Sequence, residues 1–227
     1  MQYEIWGGQL PAVTIKLQQG ESIYTQSGGL AWMSDGIDMQ TNMKGGLGKA
    51  LGRMFSGESP FMATYTARSA GANITFASTM PGEIRAFSVQ PGLEYIVQKS
   101  AFLCAEPGVS FSATVGRGGV KGALFGGEGL IMQRYSGQGM FFLELDGAVC
   151  EYDLAPGETI KVDTGNVAAF EASVNYSAEM VKGFANILFG GEGLFLTTLT
   201  GPGKVWLQTM STAEMAARII PFLPKSN

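Results

Sequence analysis

Three features of the sequence predict an all-β fold. Glycine is abundant, at 33 of 227 residues, and shows no collagen-like period. The stretches between glycines are rich in Val, Ile, Phe, Tyr and Thr, which suit a pleated surface. Two short motifs also recur at a nearly constant step, the mark of a repeated supersecondary unit.

The first motif is Phe-x-Gly-Glu. It reads FSGES at Phe55–Ser59 and FGGEG at both Phe125–Gly129 and Phe189–Gly193, so the copies stand 70 and 64 positions apart. The second is a glycine turn: LQQGE at Leu17–Glu21, VQPGL at Val89–Leu93 and LAPGE at Leu154–Glu158, with steps of 72 and 65. Two independent motifs in one order predict three tandem units, over residues 1–79, 80–144 and 145–227. A unit this small buries a core poorly by itself, so the three must pack together.

Each unit opens on an apolar strand: AVTIKL at Ala12–Leu17, EIRAFSV at Glu83–Val89 and AVCEYDL at Ala148–Leu154. A tight turn follows, with Pro91–Gly92 and Pro156–Gly157 fitting the two central positions of a type II turn. Gln19–Gly20 keeps the essential glycine. Second strands come next, such as TIKVD at Thr159–Asp163, then third strands in GLAWMS, AFLCAE and VAAFEA. A short glycine-interrupted segment of one or two helical turns is expected after each. The Phe-x-Gly-Glu motif closes that segment, its Phe anchoring the core and its glycines allowing left-handed backbone. A hairpin turning at Gly137 and Gly139, or at Gly201 and Gly203, ends the unit. Near the C-terminus, STAEMAARII places Glu214 three residues after Ser211. This capping box predicts a helix that ends at Pro221, with Met215 and Ile219 packed on the sheet.

The stretch FGGEGLFLTTLTGPGKVWLQTMS (Phe189–Ser211), the Pro-Gly turns and the chain length together resemble the bacterial family related to the mitochondrial biogenesis AIM-type protein. The resemblance covers essentially the whole chain. It implies a fold like that of the tryptophan RNA-binding attenuation protein: three tandem TRAP-like double-stranded β-helix or sandwich units with short helical segments. It also implies rings of nine units built from three chains. The first copy departs from the motif at Ser56, Ser59 and Pro60.

Composition narrows the chemistry. The chain has no histidine, which excludes Ser-His-Asp and Cys-His catalysis and removes the commonest zinc ligand. Cys104 and Cys150 lie in apolar runs and are expected as buried, reduced thiols. GRGGVKGALFGGEG (Gly116–Gly129) lacks the Gly-Lys-Ser/Thr ending of a phosphate loop and reads as turn chemistry. No metal, cofactor or catalytic residue is predicted. The sharpest candidates are the repeated Phe55, Gly57 and Glu58; Phe125, Gly127 and Glu128; and Phe189, Gly191 and Glu192. Glu58, Glu128 and Glu192 could form a ring of carboxylates for a cation or polar ligand. A turn-stabilising or interface role is the simpler reading, because each unit supplies one acid where acid–base work needs two.

Lys49, Arg53, Arg117, Lys121 and Lys182 precede the motifs and could line a positive band for RNA backbone. The net charge of −4 argues against such binding, and solvated charges explain these residues equally well. Trp32, Trp206, Phe141, Phe142 and Phe195 could stack bases, but their apolar strand settings point to core or subunit packing. The expected function is therefore a non-enzymatic oligomeric scaffold or binding ring. An RNA- or small-ligand-binding regulator is the alternative, by analogy of fold. With only 15% charged residues, a large buried interface is expected, in a homotrimer closing a nine-unit ring. A monomer whose units surround their own pseudo-threefold axis is the other solution. No run of about 18 apolar residues predicts a membrane span, and no secretory signal opens the chain. The expected location is cytoplasmic, and the protein partner is unknown.

Overall fold

The computed structural model describes residues 1–26, 28–42, 62–114, 131–180 and 195–224. Among these residues the chain is predominantly β, with one C-terminal α-helix. The strands are β1 (Gln2–Trp6), β2 (Ala12–Leu17), β3 (Ser22–Gln26), β4 (Leu30–Met33), β5 (Ile37–Asn42), β6 (Met62–Ala67) and β7 (Ala72–Ala77). They continue as β8 (Gly82–Val89), β9 (Tyr95–Gln98), β10 (Phe102–Ala105), β11 (Val109–Ala113), β12 (Met132–Gly137) and β13 (Gly139–Asp146). The last are β14 (Val149–Leu154), β15 (Thr159–Asp163), β16 (Val167–Glu171), β17 (Asn175–Met180), β18 (Phe195–Thr200) and β19 (Gly203–Gln208), followed by α1 (Thr212–Ile219).

They form four antiparallel sheets. The first runs β1-β2-β7-β4 and the second β5-β6-β3-β10-β13-β8. The third runs β11-β12-β9-β16-β19-β14 and the fourth β15-β18-β17. Each six-stranded sheet is two three-stranded groups joined at one seam. At the first seam β3 meets β10, with Tyr24 opposite Ala105 and Thr25 opposite Cys104. At the second β9 meets β16, with Ile96 opposite Phe170 and Val97 opposite Ala169. The strand taken up at each seam carries a bulge on its other side, between Phe102 and Cys104 and between Val167 and Ala169. β4 carries the same irregularity between Leu30 and Trp32 against β7.

Three buried clusters fill the spaces between successive sheets. Val13, Ile15 and Ile74 of the first sheet pack with Ile23, Tyr65 and Phe142 of the second. Phe87, Phe141 and Leu143 of the second pack with Tyr95, Tyr135 and Trp206 of the third. Ile96, Phe170 and Val205 of the third pack with Leu199 of the fourth. Phe87 stacks on Phe141 with ring centres 5.2 Å apart and an interplanar angle of 14°. Burying each such side chain contributes about 1.5–3 kcal/mol. This layering explains the strand patterns. β3 alternates half-buried and buried residues, whereas β9 and β10, central in their sheets, are buried throughout. A strand covered on both faces has no solvent side, so its sequence stays apolar.

The turn glycines behave as their setting predicts. Gly20, Gly92 and Gly157 have φ of +81°, +87° and +80°. Each turn closes with a hydrogen bond across four residues: Glu21 N to Gln18 O at 3.0 Å, Leu93 N to Gln90 O at 2.9 Å, and Glu158 N to Ala155 O at 3.0 Å. A Cβ at any of the three glycines would meet nothing within 4 Å, so backbone angle alone demands glycine.

Two expectations are corrected and one is narrowed. Cys104 is buried as a free thiol, but Cys150 is exposed. It lies on β14, an edge strand with mostly exposed residues. Ser211 caps α1 by accepting from Glu214 N at 3.2 Å, as the capping box predicts, yet Ile219 is exposed. Of the apolar pair four residues apart, only Met215 is partly covered. Of the two settings expected for Trp32, the core of its own chain is not the one it occupies: it is 56% exposed on β4, which ends the first sheet.

Candidate functional site

The sequence-predicted motif residues Phe55, Gly57, Glu58, Phe125, Gly127, Glu128, Phe189, Gly191 and Glu192 lie outside the described residues. So do the cations Lys49, Arg53, Arg117, Lys121 and Lys182 and the short segments expected before the motifs, except that Glu179 and Met180, expected to begin the third segment, end β17 as strand. Of the candidate stacking aromatics, Phe141 and Phe142 are fully buried and Trp206 nearly so. Trp206 is also fixed by donating from Nε1 to Glu151 Oε2 at 2.9 Å. The same carboxylate takes a hydrogen bond from Lys204 Nζ at 2.6 Å, and that bond holds the Glu151 carboxyl below its usual range.

Two features stand out among the described residues. The first is a pair of open sheet edges. β4 ends the first sheet and β15 ends the fourth, and the two do not pair with each other. β4 corresponds in bulge and pairing to β10 and β16, the strands taken up at the two seams. β15 follows its glycine turn as β3 and β9 follow theirs, and those are the strands that take them up. After its bulge β4 presents Trp32, where β10 presents Cys104 and β16 presents Ala169; both of those are fully buried. Beside Trp32 stands Trp6, 42% exposed, with ring centres 6.0 Å apart. Trp6 Nε1 donates to Thr14 Oγ1 at 3.0 Å, and Thr14 in turn meets Thr75 Oγ1 at 3.0 Å. Trp6 is held by that bond, and both indoles are large and partly open to water, the make-up of an interface centre.

The second feature is a cleft of about 220 Å³ at the ends of β13 and β19, where α1 begins. Strand alternation puts Glu144 and Asp146 on one face of β13, and both line the cleft. Glu144 Oε2 accepts from Ser78 Oγ at 3.0 Å, Thr79 N at 2.9 Å and Thr79 Oγ1 at 3.4 Å. Asp146 Oδ2 accepts from Thr212 Oγ1 at 2.9 Å. Burial raises both carboxyls above their ordinary values against the pull of these donors, and the Asp146 charge adds to the rise at Glu144. Among the described residues no lysine or arginine lines the cleft. Among the described residues no three His, Cys, Asp or Glu side chains cluster as metal ligands would.

Sequence reasoning missed this cleft, although a signal was present. Glu144-Leu145-Asp146 sets two acids two residues apart at the end of an apolar strand, which points both to one face. Trp6 was missed for another reason. β1 precedes the first recognised strand, and nothing in its sequence shows that it adds an edge to β2.

These features define an all-β protein of stacked antiparallel sheets with two seam-type strands left without a seam partner and an acidic cleft. The family model described as mitochondrial biogenesis AIM24 matches residues 3–210, and the chain belongs to this family. It is 29% identical to an uncharacterized protein of Streptococcus pyogenes serotype M6, over 96% of this chain and 89% of that one. Its fold is similar to the crystal structure of another Streptococcus pyogenes protein, with a TM-score of 0.79 and 24% identity. That likeness covers 98% of this chain and 99% of the other. Among the described residues no helix is long and apolar enough to cross a membrane.

Proposed function

We propose that this protein is a non-enzymatic assembly subunit: three six-stranded TRAP-like units joined edge to edge, which three chains extend into a closed ring of nine. The observation that carries this reading is the repeated seam. Each internal seam joins a strand after a glycine turn to a strand with a bulge, and one strand of each kind is left over, β15 and β4. Carrying the seam register across sets Val162 of one chain opposite Trp32 of the next, as Thr25 meets Cys104 and Val97 meets Ala169. Lys161 then falls opposite Met33. Such contacts are heterologous, and they close when the rotation between chains divides a full turn. They pair β4 and β15, two of the sheet edges that would otherwise invite uncontrolled pairing. They also cover Trp32, whose counterparts in the chain are buried. In this reading the ring is a scaffold or binding platform whose partner its surface selects.

Light scattering on a dilute sample tests the assembly. A mass near three times the 24.0 kDa chain supports it, and a single-chain mass overturns it. Trp32→Glu puts a charge at the centre of the proposed seam and should return the protein to single chains. An unchanged mass in this variant would place the contact elsewhere. RNA that co-purifies with the trimer and survives high salt would favour the regulator reading instead.

A further inference from the structure

One contact between sheet layers occurs twice within the chain. Ile15, Phe87 and Tyr152 each stand five positions before a turn glycine, Gly20, Gly92 and Gly157, and so hold one place on β2, β8 and β14. Thr75, Phe142 and Trp206 share a place of their own. Each pairs with the residue six positions before that glycine: Thr14, Ala86 and Glu151. Ile15 is fully buried in the cluster that holds Phe142. Phe87 is 6% exposed and meets the Trp206 ring edge-on, with centres 4.9 Å apart. A residue of the first kind thus covers one of the second kind on the next group of strands.

The remaining members, Tyr152 and Thr75, lie where each lacks that partner. Tyr152 is 45% exposed, and Cys150, two residues before it on the same face of β14, is exposed as well. Leu207, opposite Cys150, is half-buried, whereas Phe76 and Leu143 in the same place on β7 and β13 are fully buried. Thr75 pairs with Thr14 on one side and Trp32 on the other. Its hydroxyl meets that of Thr14, which accepts from Trp6 Nε1. Trp6 and Trp32 are both partly open on this face of the first sheet.

We propose that Tyr152 of one chain seats against Trp6 and Trp32 of the next, over the Thr14–Thr75 pair, so that β14 covers the first sheet of its neighbour. The partner this face fits is a second copy of the chain. The inference rests on the edge-to-edge reading above: pairing β15 with β4 brings these two faces together, as pairing β3 with β10 accompanies Ile15 over Phe142. It adds a second surface, formed by faces and not by edges. A tyrosine against two indoles suits an interface centre, because large rings bury much area and keep a polar edge for water or hydrogen bonds. Trp6 belongs to β1, a strand that lies beyond β2, while β8 and β14 end their sheets. The joint between chains therefore carries an indole that the two internal contacts lack.

Sedimentation of the full chain over a dilution series reads the concentration at which half the chains are assembled. Tyr152→Ala and Trp6→Ala should each raise it about tenfold or more, as for an aromatic at an interface centre. The double variant should raise it by less than the product of the two, because one contact is not lost twice. In the separated chain Tyr152 is exposed and contributes little, so its loss is read in assembly and not in folding of the chain. Cys150 gives a second reading on the unaltered protein. Of the two cysteines it alone is exposed, and an aromatic disulfide reagent should react with it more slowly in the trimer than after dilution to single chains. A trimer that Trp32→Glu breaks, but that Tyr152→Ala and Trp6→Ala leave intact, would overturn this contact and leave the seam standing. Effects that simply multiply in the double variant, or a Cys150 equally reactive in both states, would also overturn it. A single-chain mass for the unaltered protein would sink both readings.

Discussion

The backbone amide of Thr79 donates to Glu144 Oε2 at 2.9 Å, tying the segment between β7 and β8 to the far end of β13. Burial nevertheless raises the Glu144 carboxyl above its ordinary 4.5. The native chain therefore holds this proton more firmly than the unfolded chain. Stability falls as pH rises through the window from 4.5 to the raised value, and ionised Glu144 is the destabilising form. Glu144→Gln keeps an acceptor for Ser78 and Thr79 but cannot ionise. Its stability relative to the parent should rise across that window and level off above it. Urea unfolding of both proteins at several pH values checks this. A difference that does not change with pH, or that shrinks as pH rises, would refute it.

Gly92→Ala should destabilise the fold by about 1–2 kcal/mol although the side chain has open space around it, because the turn holds a positive φ. Gly92→Asn should cost less, since asparagine tolerates that region better. Equal losses for the two variants in urea unfolding would point to something other than backbone strain.

Phe141→Ala should cost about 3–5 kcal/mol, as expected for deleting a fully buried ring. Phe141 touches Phe87, Tyr95 and Tyr135 at once, so few neighbours can collapse into the gap. Tyr152→Ala, on the exposed edge strand β14, should stay within about 0.5 kcal/mol. The two denaturation midpoints, compared directly, would show the contrast absent if the core were placed elsewhere.

Ser211→Ala removes the oxygen that accepts from Glu214 N. The loss is about 1 kcal/mol and local to α1, most of whose residues are exposed. Faster hydrogen exchange at the Glu214 amide is expected, with the core strands unchanged. Exchange that stays slow at Glu214 would mean that other contacts hold the helix start.

Much of the fold was legible in the residues themselves. AVTIKL and TIKVD predict strands with the bounds that β2 and β15 have. The three turn glycines and the Ser211 cap were equally plain, because turns and caps are settled by the backbone preferences of a few neighbouring residues. Burial was read less well. AVCEYDL is apolar enough for a core strand, yet Cys150 and Tyr152 are exposed because β14 ends its sheet.

The candidate sites divide the same way. The sequence alone determined where chain reversals fall, that strands dominate, and that histidine chemistry is excluded. It also held the Glu144–Asp146 pair, since alternation along one strand fixes which side chains share a face. Only the tertiary structure decided that Ser78, Thr79, Gln98, Gln208 and Thr212 meet that pair, and that β4 and β15 are the seam-type strands left without a seam partner. Those partners come from segments up to 110 residues apart along the chain, as for Gln98 and Gln208. Local preference cannot encode such meetings. They follow from the order in which strands pair and sheets stack, which is set by burying every apolar face at once.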